Sequence, residues 1–425
     1  MKNKYIYCLV TGVFLPMFLV AQITISGEIR PRSEYRHGFK TLAQEDQQAA
    51  FFIDQRTRLN VLFSSNKTQY YVSLQDVRVW GNQPQLVVNQ GVSTGVHQAW
   101  AKVILNPQWA MKLGRQEIAY DDQRIFGNVG WAQQARSHDA ALLVFQDSTF
   151  TAQLGLAFNQ DRPQLFSTRY NISNNYKSIQ FLWLQNNWGA VKGSFLFLND
   201  GRQVNFSDGG FKTNYSQTIG GRLSYQENQL TANLSLYYQG GTHADTLDTK
   251  VDAYYLGGDI AYSLNNKLTL AGGIEVLSGN DQSEKNGKNN AFNPLYGTNH
   301  KFNGLMDYFY VGNHIGSVGL NDLFVKAKYK KGDFNTGFAF HYFLTNGKVA
   351  NPQNEAGVLN DFLGTEIDYT IGWRLNAGAT MKMGYSQLFG SETMETLKGG
   401  SRQETNNWFW AMITIKPSFT FKNNK

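Results

Sequence analysis

The sequence predicts an all-β fold: a transmembrane antiparallel β-barrel of 18 strands, with short periplasmic turns and long extracellular loops. Three observations predict it. Apolar residues recur at every second position along most of the chain, the connections between such segments alternate strictly between short and long, and no apolar run beyond the first twenty residues could form a spanning helix. Composition agrees: of 425 residues only 17% are charged, low for a soluble surface, while 14% are aromatic, Gly is common (41) and Pro rare (8).

The first element reads as a signal peptide, residues 1–21. Lys2 and Lys4 form a basic start, Tyr5 to Val20 an apolar stretch, and Ala21 a small residue before Gln22. The apolar stretch is shorter than the ~20 residues a membrane-spanning helix needs. Residues 22–425 are then expected to form one outer-membrane barrel. Cys8, the single cysteine, lies in the leader, which leaves no disulfide, thiolate metal site or cysteine nucleophile. The chain carries 39 basic and 32 acidic residues, and two of the lysines belong to the leader. That mild excess suits an anionic solute better than a nucleic acid, since dense Lys/Arg clusters are missing.

Eighteen segments follow, near residues 23–36, 51–63, 68–80, 96–105, 109–119, 137–146, 149–159, 176–185, 188–199, 215–226, 228–239, 252–264, 266–278, 319–331, 333–345, 361–372, 375–387 and 407–421. "TFTAQLGLAFNQ" is typical: Phe150, Ala152, Leu154, Leu156 and Phe158 share one face, and Thr151, Gln153 and Asn159 fall on the other. Even-numbered segments end in short turns such as "NPQ", "QDS", "KGD" and "GW"; odd ones lead into polar loops of about 12 to 40 residues, the longest at 279–318. A β-sandwich does not sort its connections this way, whereas a barrel with both termini inside does. Phe51, Phe63, Tyr70, Trp80, Trp109, Trp188, Trp373, Trp408 and Trp410 sit near segment ends and are expected in the two interfacial aromatic girdles.

With the apolar parity facing lipid, the other parity lines the lumen. It carries Glu28, Arg30, Arg32, Glu34, Arg36, Asp54, Arg56, Arg58, Lys102, Arg222, Asp259, Glu275, Lys326, Lys328, Glu366, Asp368 and Lys382: ten basic and seven acidic residues. Nine of fifteen arginines lie between residues 22 and 140. Guanidinium offers a rigid fork matched to carboxylate or phosphate, so an Arg-rich wall mixed with acids provides many weak anion sites, the balance that conduction needs. Eighteen strands leave an aqueous lumen rather than a filled core.

In the order "RPRSEYR", "DQRTRLNV", "LQDVRVWG", "HQAWAKV", "KLGRQEIAYDDQRIFGNVGW" and "RSHDA", spanning residues 28–139, the sequence resembles the alginate export family of bacterial outer-membrane proteins. The resemblance implies an eighteen-stranded porin of the bacterial outer membrane whose arginine-rich lumen passes an anionic polysaccharide. It carries over Arg30, Arg32, Arg56, Arg58, Arg115, Arg124 and Arg136 as electropositive lining, with Asp54, Glu117, Asp122 and Asp139 as pairing partners; Lys102, Arg222 and Glu28 join them by parity. The stretch 112–131 then reads as the end of an upward strand and an external loop, 120–136, whose carboxylates partner Arg115, Arg124 and Arg136 at a constriction. Arg115 shares the face of Met111 and Leu113, so a bulge must turn it inward if it is to meet solute. The family's long, late periplasmic turn is here the short "IGWR".

No enzyme is expected. The histidines are scattered, and "RSHD" places His138 opposite Ser137 and Asp139 on a strand, which is poor triad geometry. "GNDQSEKNGKNN" has the composition of a calcium loop without its spacing, and "GNVG" lacks the strand-then-helix setting of a phosphate loop. No cofactor or metal is expected. The expected partners are outer-membrane lipid and an anionic saccharide or other anionic solute passing by diffusion through a monomer, with no nucleic acid. The alternatives are a general or nutrient-uptake porin, and a structural barrel whose loops do the work.

Overall fold

A computed structural model describes residues 21–86, 94–284, 286–354 and 357–422. The leader expected over residues 1–21 therefore falls almost wholly outside the described residues. The chain forms eighteen long strands: β1 (Gln22–His37), β2 (Ala50–Ser64), β3 (Thr68–Val79), β4 (Thr94–Ile104), β5 (Trp109–Gln116), β6 (His138–Gln146), β7 (Phe150–Phe158), β8 (Ser178–Trp188), β9 (Val191–Asn205), β10 (Phe211–Glu227), β11 (Leu230–Thr242), β12 (Lys250–Ser263), β13 (Leu268–Leu277), β14 (Leu320–Lys331), β15 (Phe334–Leu344), β16 (Phe362–Asn376), β17 (Ala379–Gly390) and β18 (Asn406–Ile415). Every neighbour in sequence pairs antiparallel, and β1 pairs with both β2 and β18, so the sheet closes and leaves no edge for lipid to meet. Ser418–Lys422 continues β18 along the first residues of β1 beyond a break at Pro417, whose ring nitrogen has no proton to give the ladder.

Alternation decides which way each side chain points. On β1, Ile23, Ile29 and Tyr35 are exposed on the outer face while Glu28, Arg30, Arg32 and Glu34 are buried on the inner one. On β7, Leu154, Leu156 and Phe158 face outward. No helix of the described residues is long and apolar enough to cross a membrane; the strands do the crossing.

Four details differ from the sequence reading. β5 stops at Gln116, where the chain leaves the sheet; within the strand Gly114 takes φ 117 against the Ala99 carbonyl, which leaves no room for a side chain there. The turn after β16 lies at residues 377–378 and not at "GW": Trp373 still pairs with Met381, and Asn376 accepts the Gly378 N–H in an Asx turn. The connections 206–210 and 243–249 are short, because β9 to β12 run further outward than the apolar pattern does. Trp408 and Trp410 are not girdle residues. They are 0% and 4% exposed and point into the barrel with Met412, leaving Phe409 and Ile413 to face lipid.

Candidate functional site

Two external loops fold back into the barrel: L3 (residues 117–137) and L7 (residues 278–319). The β1–β2 arginines hold L3. Arg30 donates from Nη1 to the Gly130 carbonyl at 2.7 Å, from Nη2 to the Trp131 carbonyl at 3.0 Å, and from Nη2 to Gln133 Oε1 at 2.8 Å. Arg32 donates to the Trp131 carbonyl at 2.9 Å, lies 4.2 Å from the Trp131 ring centre, and pairs with Glu34 and Asp54, each at 2.8 Å. Arg56 pairs with Glu28 at 2.5 Å and reaches the same loop carbonyls at longer range. Gln133 closes the circuit by donating to Asp54 Oδ1 at 2.6 Å. These guanidiniums supply hydrogen bonds to loop carbonyls that turn away from both water and the sheet ladder.

L7 grips L3 from the other side. Gly127 N–H donates to the Tyr296 carbonyl at 2.9 Å, Thr298 N–H to the Gln123 carbonyl at 2.9 Å, and Lys301 Nζ to the Asp122 carbonyl at 2.9 Å. Val129 N–H donates to Thr298 Oγ1 at 3.0 Å and holds φ 52, a left-handed conformation rare for a β-branched residue, so the contact stores strain. The Trp131 ring stacks on His300 at 4.6 Å and meets Trp410 edge-on at 4.8 Å, joining both loops to β18. L7 is itself seated on the wall: Asn303 donates to Glu275 at 2.7 Å, and Met306 N–H donates to Glu366 Oε1 at 2.8 Å. At Gly304, φ 83 and the adjacent Glu366 carboxyl together exclude a side chain.

The clasp leaves a cavity of about 280 Å³ against β10 to β15, lined by the cations Arg222, Lys301, Lys326 and Lys328 and by the acids Asp122, Asp259, Glu275 and Asp322. Arg222 pairs with Asp122 at 2.6 Å and donates to Ser235 at 2.8 Å. Lys192 stands beside Arg222, Asp121 and Asp122. Lys102, Lys192, Lys326, Lys328 and Lys382 have no ion pair among the described residues; Lys326 has only the Phe324 ring, at 4.3 Å. In L3, burial raises the pKa of Asp121. Burial opposes ionisation of Glu117 too, yet hydrogen bonds from His97 and Asn128 bring its pKa below the ordinary carboxylate value.

The structure thus sorts the expected residues into groups. Arg30, Arg32 and Arg56, with Glu28, point inward but are buried under L3, and Asp54 joins them half-buried. Arg58 donates to Gln75 at 2.7 Å and lies 3.9 Å from Glu117, whose nearer partner is His97 at 2.8 Å. Lys102 and Arg222 face the lumen. Three expectations need correction. Arg115 and Asp139 do pair, at 2.8 Å, but with side chains 42% and 61% exposed on the outer face: the bulge that would have turned Arg115 inward does not form. Arg124 is fully buried between Glu275, Asn303 and the rings of Tyr255 and Phe302, out of reach of solute. Arg136 has no carboxylate partner among the described residues and donates to the Gly297 carbonyl at 3.1 Å; Asp122 pairs with Arg222 instead. Sequence reasoning also missed Trp131, Gln133, Lys192, His300 and Lys301. All but Lys192 lie on loops, where no periodicity reports direction. Among the described residues, no group of three or more His, Cys, Asp or Glu side chains is placed to hold a metal ion.

Comparisons with known proteins accord with this architecture. The family model for alginate export matches residues 21–407. Among solved structures, OccAB4 of Acinetobacter baumannii superposes with a TM-score of 0.63 at 11% identity, covering 93% of this chain and 98% of that one. The outer-membrane protein OpdK of Pseudomonas aeruginosa gives 0.60 at 10% identity, with 93% and 99% covered. A BenF-like porin of Pseudomonas fluorescens gives 0.61 at 12% identity, with 94% and 99% covered. A search of curated proteins gives no match.

Proposed function

The chain belongs to the alginate export family and is an outer-membrane porin, and from that premise we propose that it conducts anionic solutes, short anionic saccharides foremost, by passive diffusion through a monomeric barrel. The observation that carries this reading is the imbalance of accessible lumen charge. The inward acids Glu28, Asp54, Asp122 and Glu275 are each tied to an arginine, Asp259 lies 4.0 Å from Arg222, and Asp322 and Asp368 lie beside His341, whereas Lys192, Lys326, Lys328 and Lys382 have no acidic partner among the described residues. An anion entering the cavity meets cations that need not break a pair to receive it, and lysine's flexible point charge favours weak binding and release. Residues 1–21 are the export signal in this reading, so Edman sequencing of the mature protein should begin at Gln22.

A cavity of about 280 Å³ favours a small anion over a polymer segment while L3 and L7 stay clasped. Passage of alginate itself would require the clasp to open. Planar-bilayer recording tests the proposal: the channel should be anion-selective, and short oligouronates should block its current. A cation-selective channel, or one indifferent to oligouronates, overturns it in favour of a general nutrient-uptake porin.

A further inference from the structure

A second cleft, of about 520 Å³, opens at the external end of the barrel between the loop L4 (residues 159–177), the outer ends of β9 to β12 and L7. Its chemistry differs from that of the inner cavity. Its charged lining groups are compensated: Arg202 pairs with Asp200 at 2.7 Å, Tyr296 OH donates to the same carboxylate at 2.5 Å, and His243 lies 3.2 Å from Asp245. What the cleft presents instead is a set of carboxamides and hydroxyls. Three of the amides are held in place by their oxygens. Asn205 Oδ1 accepts from Gln203 at 2.7 Å, Asn289 Oδ1 from the Ala291 N–H at 3.1 Å, and Asn293 Oδ1 from the Leu295 N–H at 2.9 Å. The NH2 groups of these three have no partner among the described residues. Fixed donors of this kind lose little freedom on binding. Two exposed apolar side chains also line the cleft, Ile172 of L4 at 53% and Ile315 of L7 at 50%.

Donors and acceptors without net charge, flanked by apolar side chains, match a ring that carries hydroxyls at its edge and C–H groups on its face. Such a lining gives a phosphate or carboxylate no unpaired cation and gives an acyl chain too many polar groups to desolvate. We propose that this cleft is an external docking site for neutral saccharide units, where a glycan is captured by its hydroxyls before it reaches the cationic cavity. The site is independent of the charge selectivity proposed above, since none of the unpaired lysines lines it.

The test uses the full chain in a planar bilayer, with maltotriose, cellotriose, mannotriose and xylotriose added in turn to one side at about 10 mM, well above a dissociation constant near 1 mM. At least one should produce current interruptions when added externally and far fewer when added from the periplasmic side. Ser173→Trp, at an exposed position on the L4 rim, should weaken that block about tenfold, and Asn293→Leu should do the same by removing a donor. Conductance in plain salt reports that both variants still form the channel. Absence of block by all four sugars, equal block from both sides, or block unchanged in both variants overturns the proposal. Ion selectivity in the same membranes separates this outcome from the other: a cation-selective channel that neutral sugars block from outside refutes the anion reading and leaves the docking site standing.

Discussion

On β1 and β2, Arg30 and Arg56 are 6% and 4% exposed and spend their donors on Gly130, Trp131, Gln133 and Glu28. On β14, Lys326 and Lys328 face the cavity without an ion pair among the described residues. Both walls are basic by count, yet one uses its charge to hold a loop and the other leaves it unpaired. The difference follows from side-chain chemistry. A planar fork of five donors fits backbone carbonyls and carboxylates and becomes a structural clamp, while a point charge on a flexible stem gains less from such geometry and remains available. Charge counted along a strand therefore does not measure the charge a solute meets.

The largest expected effect comes from breaking the clamp. Arg30→Ala removes the Arg30 hydrogen bonds to L3, leaving only those of Arg32 and Arg56, and leaves Glu28 with one cation fewer; each lost charge-assisted hydrogen bond costs about 1.5–3 kcal/mol. L3 should loosen, and single-channel conductance should rise and become noisy, while heat-modifiable migration shows that the barrel persists. Next comes the other wall. Lys326→Glu with Lys328→Glu should reverse or abolish anion preference, measured as reversal potential, since each unit charge contributes about 1 kcal/mol to an ion at 4 Å even in water. Arg222→Gln should have a smaller effect of the same sign by freeing Asp122 to repel anions. Arg115→Ala should change neither selectivity nor conductance, because the exposed outer-face pair with Asp139 is worth about 0–1 kcal/mol.

A small effect on stability, rather than on conduction, is expected at the loop between β17 and β18, where the helix Glu392–Lys398 packs beside L1, the loop at residues 38–49. Burial pushes Lys398 down to about 7. Between about pH 7 and 10 the folded state has lost a proton that the unfolded chain still holds, so stability rises with pH across that window. The temperature of heat-modifiable unfolding should rise slightly from pH 7 to 9, and Lys398→Met should flatten that slope.

The barrel was legible in the sequence because alternation is a property of each strand by itself: Leu154, Leu156 and Phe158 announce a lipid face wherever the strand sits. Inward parity was equally legible at Arg30, Arg56 and Lys326. What alternation does not encode is which inward residue another part of the chain will cover. Trp408 and Trp410 look like girdle aromatics until L3 and L7 bring Trp131 and His300 against them. Arg124, on a loop, acquired its burial from Glu275 and Asn303, both more than a hundred residues away. Loop backbones in left-handed conformations, as at Asp121, Gln123 and Val129, have no periodic signature to read.

The central claim is that lysines, not arginines, set ion selectivity, and one paired measurement tests it most directly. Reversal potentials in a salt gradient should be compared for Lys326→Gln with Lys328→Gln and for Arg56→Gln with Arg58→Gln. The lysine pair should lose much of the anion preference while the arginine pair retains it, apart from any loosening of L3 seen as noise. Loss of anion preference in the arginine pair, with selectivity intact in the lysine pair, would contradict the account.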